Sequence, residues 1–595
     1  MMKKVLTTLC LFASIMSLSA AAISPKVPVN NQENVAVNAQ IVVQGSSALV
    51  QGSDSCFLNG EYLPVTSIAS NMAIFKPGIM DYASDYEFVV RDGAFLAKDG
   101  TPMKGCTIRF RTVLPKAKLF DAVVAKDGSG DYTSIRAAVK AAPKNRVEPW
   151  IIFVKNGTYE ELVRVAKDQP YISLVGEDIN KTILKFSITS NGGHERDNAN
   201  FKEAEGQGPV LVTNAPNFYL HNMTVINSWG YDKQAGPQAL ALGSYADRFA
   251  IFNANLKSFQ DTWQTGSDEH RHYARRSYIE GAVDFIYCSG DMVLDSCTLG
   301  LCRDGSVIVA PSHGAGVQYG YVFRDTKIVS SKPGVLRTKN SYGRPWHNFP
   351  RTSFINTTWS KDVQFTTAGW TDHMGGLPVV FAEYNTRNHK GEVVDLSKRN
   401  TYYYTGDKNN PTATCTAKAV LTKEEADALT VRTVLSGKDG WAPDKICKEL
   451  PAPVLTYKDK VLTWTKEDQA ICYIVMRNGE YYQTTTETTM AFEGDVKEYS
   501  VRAVSYYGTL GHVSSAPFVD GIQAEKAVSL DAGFDGSHLQ IGQLSGKAMV
   551  EFVSLDGRVL STVEVSSNSS IPVAEAAVLA RIRCQDEVCV VKCIR

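Results

Sequence analysis

The sequence has no excess of charge of either sign: 62 Lys and Arg balance 62 Asp and Glu. No basic stripe runs through it, and a nucleic-acid partner would need one. The 45 Gly and 23 Pro are scattered rather than periodic, which excludes a collagen-like chain. There is no CxxC…CxxC pair and no Cys/His cluster at zinc spacing, so neither a metal nor another cofactor is expected. No GxSxG elbow of a serine esterase occurs. Asp127-Gly128-Ser129-Gly130-Asp131 has neither a third Gly nor the Gly-Lys-Ser/Thr of a phosphate loop and reads as a turn. Helical periodicity is scarce: one helix is readable from Ser134 to Ala142, stopped by Pro143. Beyond the first residues no apolar run is long enough to span a bilayer.

What is present is an ordinary globular composition, 44% apolar and 21% charged over 595 residues. At roughly 150 residues per domain that is room for about four units. Residues 1–22 read as a secretory signal peptide: Lys3 and Lys4, an apolar run from Val5 to Leu18, then Ser19-Ala20-Ala21-Ala22. Its removal leaves a net charge of −2 and 11 of the 12 Cys. The expected location is therefore exported: periplasm, cell surface or medium. Export permits disulfides. Sequence proximity suggests Cys56 with Cys106, Cys415 with Cys447 and Cys584 with Cys589, the alternative being buried thiols.

Alternating strand patterns fill residues 24–115, as in Ile41-Val42-Val43 and Tyr86 to Val90, and predict a small β-sandwich that resembles bacterial Ig-like modules. Residues 450–518 predict another, with a hairpin turn at Asn478-Gly479 and a resemblance to fibronectin type III modules. Residues 528–595 are strand-rich, with a turn at Asp556-Gly557, and loosely resemble C-terminal sorting modules. Between them, 118–448 carries short β runs separated by polar turns, among them Trp150–Val154, Phe218–Val225, Arg248–Leu256 and Tyr273–Ile279. Short strands at a period of about 20–25 residues predict a solenoid. The predicted class is all-β: a parallel β-helix flanked by small β-sandwiches.

Gln238, Asp261 and Asp284 follow one another at intervals of 23 residues. In a parallel β-helix each coil lies about 4.8 Å above the last, so a 23-residue coil would stack them in a column. Gln260 sits beside Asp261. Two carboxylates one rung apart do not both ionise easily; one becomes an acid and the other stays a base or nucleophile. Spacing alone leaves a second reading open, because solenoids also carry structural Asp and Asn ladders.

The segments around the column narrow the choice. The chain reads Gly157-Thr158-Tyr159-Glu160-Glu161, Gly236-Pro237-Gln238-Ala239-Leu240-Ala241-Leu242, Phe259-Gln260-Asp261-Thr262-Trp263, Gly281-Ala282-Val283-Asp284-Phe285-Ile286-Tyr287 and Tyr342-Gly343-Arg344-Pro345-Trp346. In this order they resemble the GxYxE, QAVAL, QDTL, DFIFG and LGRPW segments of the pectin methylesterases. The resemblance covers roughly 118–448. It implies a right-handed parallel β-helix and hydrolysis of methyl esters on homogalacturonan. It implies Asp284 as nucleophile, Asp261 as acid and then base, Gln238 and Gln260 as oxyanion donors, and Arg344 as the partner that keeps Asp284 ionised. Trp346 and Trp370 would contact sugar. The departures, Leu240, Trp263, Tyr287-Cys288, Tyr342 and His373, touch no catalytic polar group and bear on the cleft's shape. Tyr159 reads as structural and His313 as a turn residue.

A polygalacturonase, whose chemistry needs two carboxylates flanking the glycosidic bond, would carry Gly-His-Gly and paired-Asp signatures, and a lyase a calcium-binding acidic cluster; none of these is found. A non-catalytic pectin-binding protein would have lost Asp261, Asp284 or Arg344. The expected partner is methyl-esterified homogalacturonan, with no nucleic acid and no membrane span, and the expected state is a monomer.

Overall fold

A computed structural model describes residues 21–53, 55–190 and 208–514, and beyond them 518–519, 532–534, 537–542, 544, 546–554, 559–573, 577–584 and 587–594. The signal peptide, apart from its last two residues, and the Asp556-Gly557 turn lie outside the described residues. Two compact units are present. The larger takes in residues up to Val454 with Thr465–Thr488 and Glu498–Ser515; the smaller takes in Leu455–Trp464, Thr489–Lys497 and Ala516–Arg595.

The larger unit is built on a parallel β-helix. The chain visits three parallel sheets in turn, of 11, eight and eight strands. The runs Ile172–Gly176 and Phe249–Phe252 are buried on both faces, which is why they read as unbroken apolar stretches rather than alternating ones. Inward residues of successive coils stack, as Phe218 on Phe249 and Phe323 on Phe354. Coil length is less uniform than predicted. Leu220 faces Ile251, Ile251 faces Ala274, Ala274 faces Leu294, Leu294 faces Phe323 and Phe323 faces Phe354, giving coils of 31, 23, 20, 29 and 31 residues. Only the middle coils keep the 20–25 period; the others carry longer turns.

One corner of the coil holds an amide ladder. Asn253 Nδ2 donates to Asn222 Oδ1 at 2.8 Å, Asn356 to Asp325 at 2.9 Å and Asn385 to Asn356 at 2.8 Å. All five residues have φ between 48° and 56°, the left-handed region that Asn and Asp tolerate best. A structural ladder thus exists, but at a different corner from Asp261 and Asp284.

The predicted helix is Ile135–Ala141. Ser134 Oγ accepts from Ala137 N, and the Glu161 carboxylate accepts from the N–H groups of Ile135 and Arg136 at 2.8 and 3.0 Å. These are orphan donors of the first turn. Tyr159, buried, donates its hydroxyl to Lys155 O. The Gly157–Glu161 segment therefore serves the fold. Helices Lys423–Ala428, Val431–Leu435 and Pro443–Ile446 were not foreseen. They bury Ala426, Val434 and Leu435, with Trp441, against Tyr219, Phe252 and Tyr273 on the outside of the 11-stranded sheet. Arg271 ties this segment down by bonding both Asp247 and Asp439.

N-terminal to the helix, strands Ile23–Val27, Ile41–Gly45, Met72–Phe75 and Ser67–Ala69 form one sheet. Strands Gln32–Val35, Cys106–Thr112, Asp85–Val90, Cys56–Leu58 and Glu61–Tyr62 form another, and the core shared by these strands holds Ile41, Phe75, Phe88 and Ile108. Their burial alternates with the period of two that the sequence carries. Cys56 and Cys106 both face Val90, from opposite sides, so two strand spacings separate them and they do not form the suggested bond. Cys415 and Cys447 are free thiols. The hairpin Ala470–Arg477 and Glu480–Thr485 turns at Asn478-Gly479, φ 54° and 80°, as expected. Its Ile471 and Ile474 pack on Ile151, Phe153 and Val175. In the smaller unit, Ala548–Val553 pairs with both Val559–Val565 and Ala577–Cys584.

Candidate active site

The second eight-stranded sheet runs Val163–Val165, Leu211–Thr213, Leu242–Ser244, Trp263–Gln264, Ile286–Cys288, Val307–Pro311, Arg337–Gly343 and Val363–Phe365. Asp261 and Asp284 stand at the turns entering its fourth and fifth strands. Trp263 faces Ile286, so the two carboxylates occupy the same position on adjacent rungs, about 4.8 Å apart along the axis. Asp261 N donates to Val283 O at 3.0 Å, and Gln260 bridges Val283. Both aspartates have positive φ, 61° and 49°. Asp tolerates this region, as the amide ladder also shows.

Gln238 does not complete the column as its spacing suggested. Leu242 faces Trp263, an offset of 21 residues rather than 23. Leu240 is thereby aligned with Asp261, and Gln238 stands two residues earlier, half-exposed, its carbonyl accepting from Ser190 N. Gln260 reaches the same segment from below: a Cβ on Gly236 would lie 2.7 Å from its Oε1.

Arg344 follows the seventh strand. Its backbone N donates to Val309 O, and its side chain reaches back to Asp284, Nε to Oδ1 at 2.8 Å and Nη2 to Oδ2 at 2.6 Å. Gly343 makes this approach feasible, since a Cβ there would meet Val309 Cγ2 at 2.4 Å and Val309 O at 2.8 Å. The pair is unequal. Burial, then the charge of Asp284, push Asp261 up to about 8, against a smaller lowering by Arg344. Burial also raises Asp284, but the bidentate Arg344 opposes it. Of the pair, Asp261 therefore holds its proton more tightly and Asp284, with Arg344 on it, is the one more readily ionised.

Leu240, Tyr287 and Ala310 form an apolar cluster outside the sheet, with Cys288 and Trp346 packed on it. Trp346 meets Tyr287 edge-on at 5.5 Å. Trp370 is only 2% exposed, stacked on Phe381 within the core, and offers a cleft no more than its rim. Trp263 and Tyr342 are wholly interior, so those two departures fill the coil and leave the cleft unchanged. His313 is no turn residue: it is fully buried, its Nδ1 accepts from Arg351 N, and burial pushes it down to about 3. Sequence reasoning missed Arg303, whose exposed guanidinium lies 5.8 Å over the Phe259 ring and whose charge reaches Asp284. No spacing rule points to it. Among the described residues no group of three or more His, Cys, Asp or Glu could hold a metal.

A family model described as Pectinesterase matches residues 121–435, just over half the chain. The chain belongs to the pectinesterase family. A probable pectinesterase 56 of Arabidopsis thaliana is 31% identical over 259 residues, covering 42% of this chain and 84% of that protein. A pectinesterase of Petunia integrifolia is 30% identical over 297 residues, covering 47% and 74%. Of a longer relative, probable pectinesterase/pectinesterase inhibitor 13 of A. thaliana, the chain spans half the length at 30% identity. Among solved structures, pectin methylesterase from carrot matches with a TM-score of 0.45 and 23% identity, covering 56% of this chain and 97% of that one. Pectin methylesterase from Yersinia enterocolitica matches with a TM-score of 0.41 and 24% identity, covering 52% and 100%. The family match spans both aspartates, both glutamines, Arg344, Trp346 and Trp370.

Proposed function

We propose that the protein hydrolyses the C6 methyl esters of homogalacturonan, yielding methanol and de-esterified pectin, with Asp284 as nucleophile and Asp261 as acid and base. The observation that carries this reading is the unequal carboxylate pair: two aspartates on adjacent rungs, only one of them held by Arg344.

The ionised Asp284 attacks the ester carbonyl carbon. The oxyanion accepts hydrogen bonds from the amides of Gln260 and Gln238, which preorganised donors can stabilise by roughly 3 kcal/mol each. The tetrahedral intermediate collapses, and the C–O bond to the methoxy group breaks. Asp261 gives its proton to that oxygen and methanol leaves, with a mixed anhydride on Asp284. Asp261, now ionised, takes a proton from water as the water attacks the anhydride. This releases the sugar as its carboxylic acid, which loses its proton to solvent, and restores ionised Asp284 and protonated Asp261. Trp346 supports the sugar at the cleft wall, and Trp370 contributes its rim.

The protein acts as an exported monomer on pectin, its leader ending near Ala22, and the β-rich segments at 24–115, 450–518 and 528–595 serve as spacers, binding modules or sorting signals.

The test is methanol release from highly methylated pectin by the wild type and by Asp284→Asn. Release by the wild type and near-silence of the variant support the assignment. Equal release by both sinks the nucleophile. Bound but unaltered pectin points to a binding protein, and new reducing or unsaturated ends point to a depolymerase.

A further inference from the structure

Between the strands Thr224–Asn227 and Leu242–Ser244 the chain leaves the coil and returns. The excursion opens with the short helix Ser228–Lys233 and brings Gln238 back beside the rung of Asp261. Two buried side chains that the mechanism does not use fasten its return. The Asn227 side chain is wholly buried and engaged at both ends. Its Nδ2 donates to Ile188 O at 2.8 Å and to Leu240 O at 2.9 Å, and its Oδ1 accepts from Trp229 N at 3.1 Å and Ile188 N at 3.4 Å. It thereby pins the end of the excursion to its beginning. Ser258, also wholly buried, donates its hydroxyl to Ala239 O. Gly230 leaves room for that hydroxyl, since a Cβ there would collide with Ser258 Oγ.

The two ties fall on adjacent carbonyls, those of the two residues after Gln238. The second is doubled by the backbone, because Ala239 N donates to Gln260 O at 3.1 Å. Ala239 is thus held on both sides by the segment that carries Gln260. That segment is bonded in turn to the coil of the nucleophile, with Ala282 N donating to Phe259 O at 2.6 Å and Asp261 N to Val283 O at 3.0 Å. Hydrogen bonds therefore connect the turns of Gln238, Asp261 and Asp284, and the first joint uses a serine hydroxyl and an asparagine amide. A donor stabilises an oxyanion by being in place before the charge develops. A side chain on a half-exposed excursion is in place only as far as its backbone is fixed.

Resting on the esterase reading above, we propose that Asn227 and Ser258 are positioning residues for the oxyanion donor: they fix the backbone at Ala239 and Leu240 so that the Gln238 amide is aimed at the ester oxygen. Neither touches substrate; each acts through Gln238.

The experiment measures kcat and KM for methanol release from a methyl-esterified oligogalacturonide. It uses the full-length wild type, Gln238→Ala, Ser258→Ala, Asn227→Ala, and the latter two each combined with Gln238→Ala. Gln238→Ala should lower kcat roughly a hundred-fold, the scale of one lost oxyanion donor. Ser258→Ala and Asn227→Ala should each lower kcat roughly ten-fold with KM nearly unchanged, as for a donor displaced rather than deleted. In the Gln238→Ala background the same two substitutions should lower kcat no further, which is the coupling that a double-variant cycle reads. Equal losses in both backgrounds overturn the inference, since a general structural defect does not depend on Gln238. A loss confined to KM, or none, overturns it too. Asn227→Ala removes four hydrogen bonds and Ser258→Ala one, so if the former does not fold, the latter decides alone. A Gln238→Ala variant with wild-type kcat overturns Gln238 as oxyanion donor and this inference with it. A wild type silent on the oligomer overturns the esterase reading as well.

Discussion

Replacing Arg344 by Gln separates the two aspartates most cleanly, because Arg344 bonds only one of them. The guanidinium makes two charge-assisted contacts with Asp284, at 2.8 and 2.6 Å, and the side chains of the pair are 30% and 9% exposed. Such a pair is neither a surface ion pair, worth under about 1 kcal/mol, nor a fully buried one. Removing one partner of a buried pair costs about 3–5 kcal/mol because the other charge is left unpaired. The lower figure suits this geometry; the charge left unpaired is the nucleophile's own, so the penalty falls on its ionised form, and about 3 kcal/mol corresponds to roughly a hundred-fold loss of kcat/KM on the acid side of the pH profile. The sign with respect to pH follows from the same contacts. Arg344 lowers Asp284 against its burial, so without it Asp284 takes up a proton more readily. The acid limb of the kcat/KM profile for methanol release then moves to higher pH, since the nucleophile must be ionised. The alkaline limb, set by Asp261 near 8, moves up less, because Arg344 is only the third influence on Asp261. Arg344→Lys restores the charge without the fork and should fall between the two. A rate loss with the acid limb unmoved would refute the assigned role: Arg344 would then position substrate rather than hold Asp284 ionised.

Two further outcomes follow from the strain and burial at the site. Asp261, held near 8 when folded and close to 4 when unfolded, binds a proton on folding across that window. Its effect is therefore to lower stability progressively as pH rises from about 4 to about 8. Asp261→Asn should abolish turnover yet raise Tm increasingly between those pH values, with little change below pH 4; an equal Tm change at pH 4 and pH 9 would count against a raised Asp261. Cys288 has a φ of 96°, a conformation L side chains rarely adopt. Cys288→Gly should stabilise the protein by about 1 kcal/mol in urea unfolding, and a destabilised variant would mean that packing of the thiol on the Tyr287 cluster outweighs the strain.

The aspartate pair was legible in the sequence for a geometric reason that does not extend to its neighbours. Periodicity in the chain equals periodicity in space only where a coil contains no extra turn residues. Between Trp263 and Ile286 the coil is 23 residues long, so a 23-residue spacing meant vertical alignment. One coil earlier the offset is 21, and the same spacing carried Gln238 out of line. Arg344 lies two strands beyond Asp284 and reaches it only because Gly343 lets the chain close on Val309, a contact that spacing does not encode. Trp346 and Trp370 were equivalent on paper, yet one sits at the cleft and the other under it, since an aromatic at a turn and an aromatic on an inward strand position carry the same residue type. The late helices escaped notice because they are four to six residues long. Too short to show an amphipathic period, they are held by the outer face of a sheet whose own strands are apolar on both sides. The chemistry of the site was thus readable where covalent spacing and coil register coincide. They part company within Arg337–Gly343, where a register shift interrupts the strand and the sequence carries no sign of one.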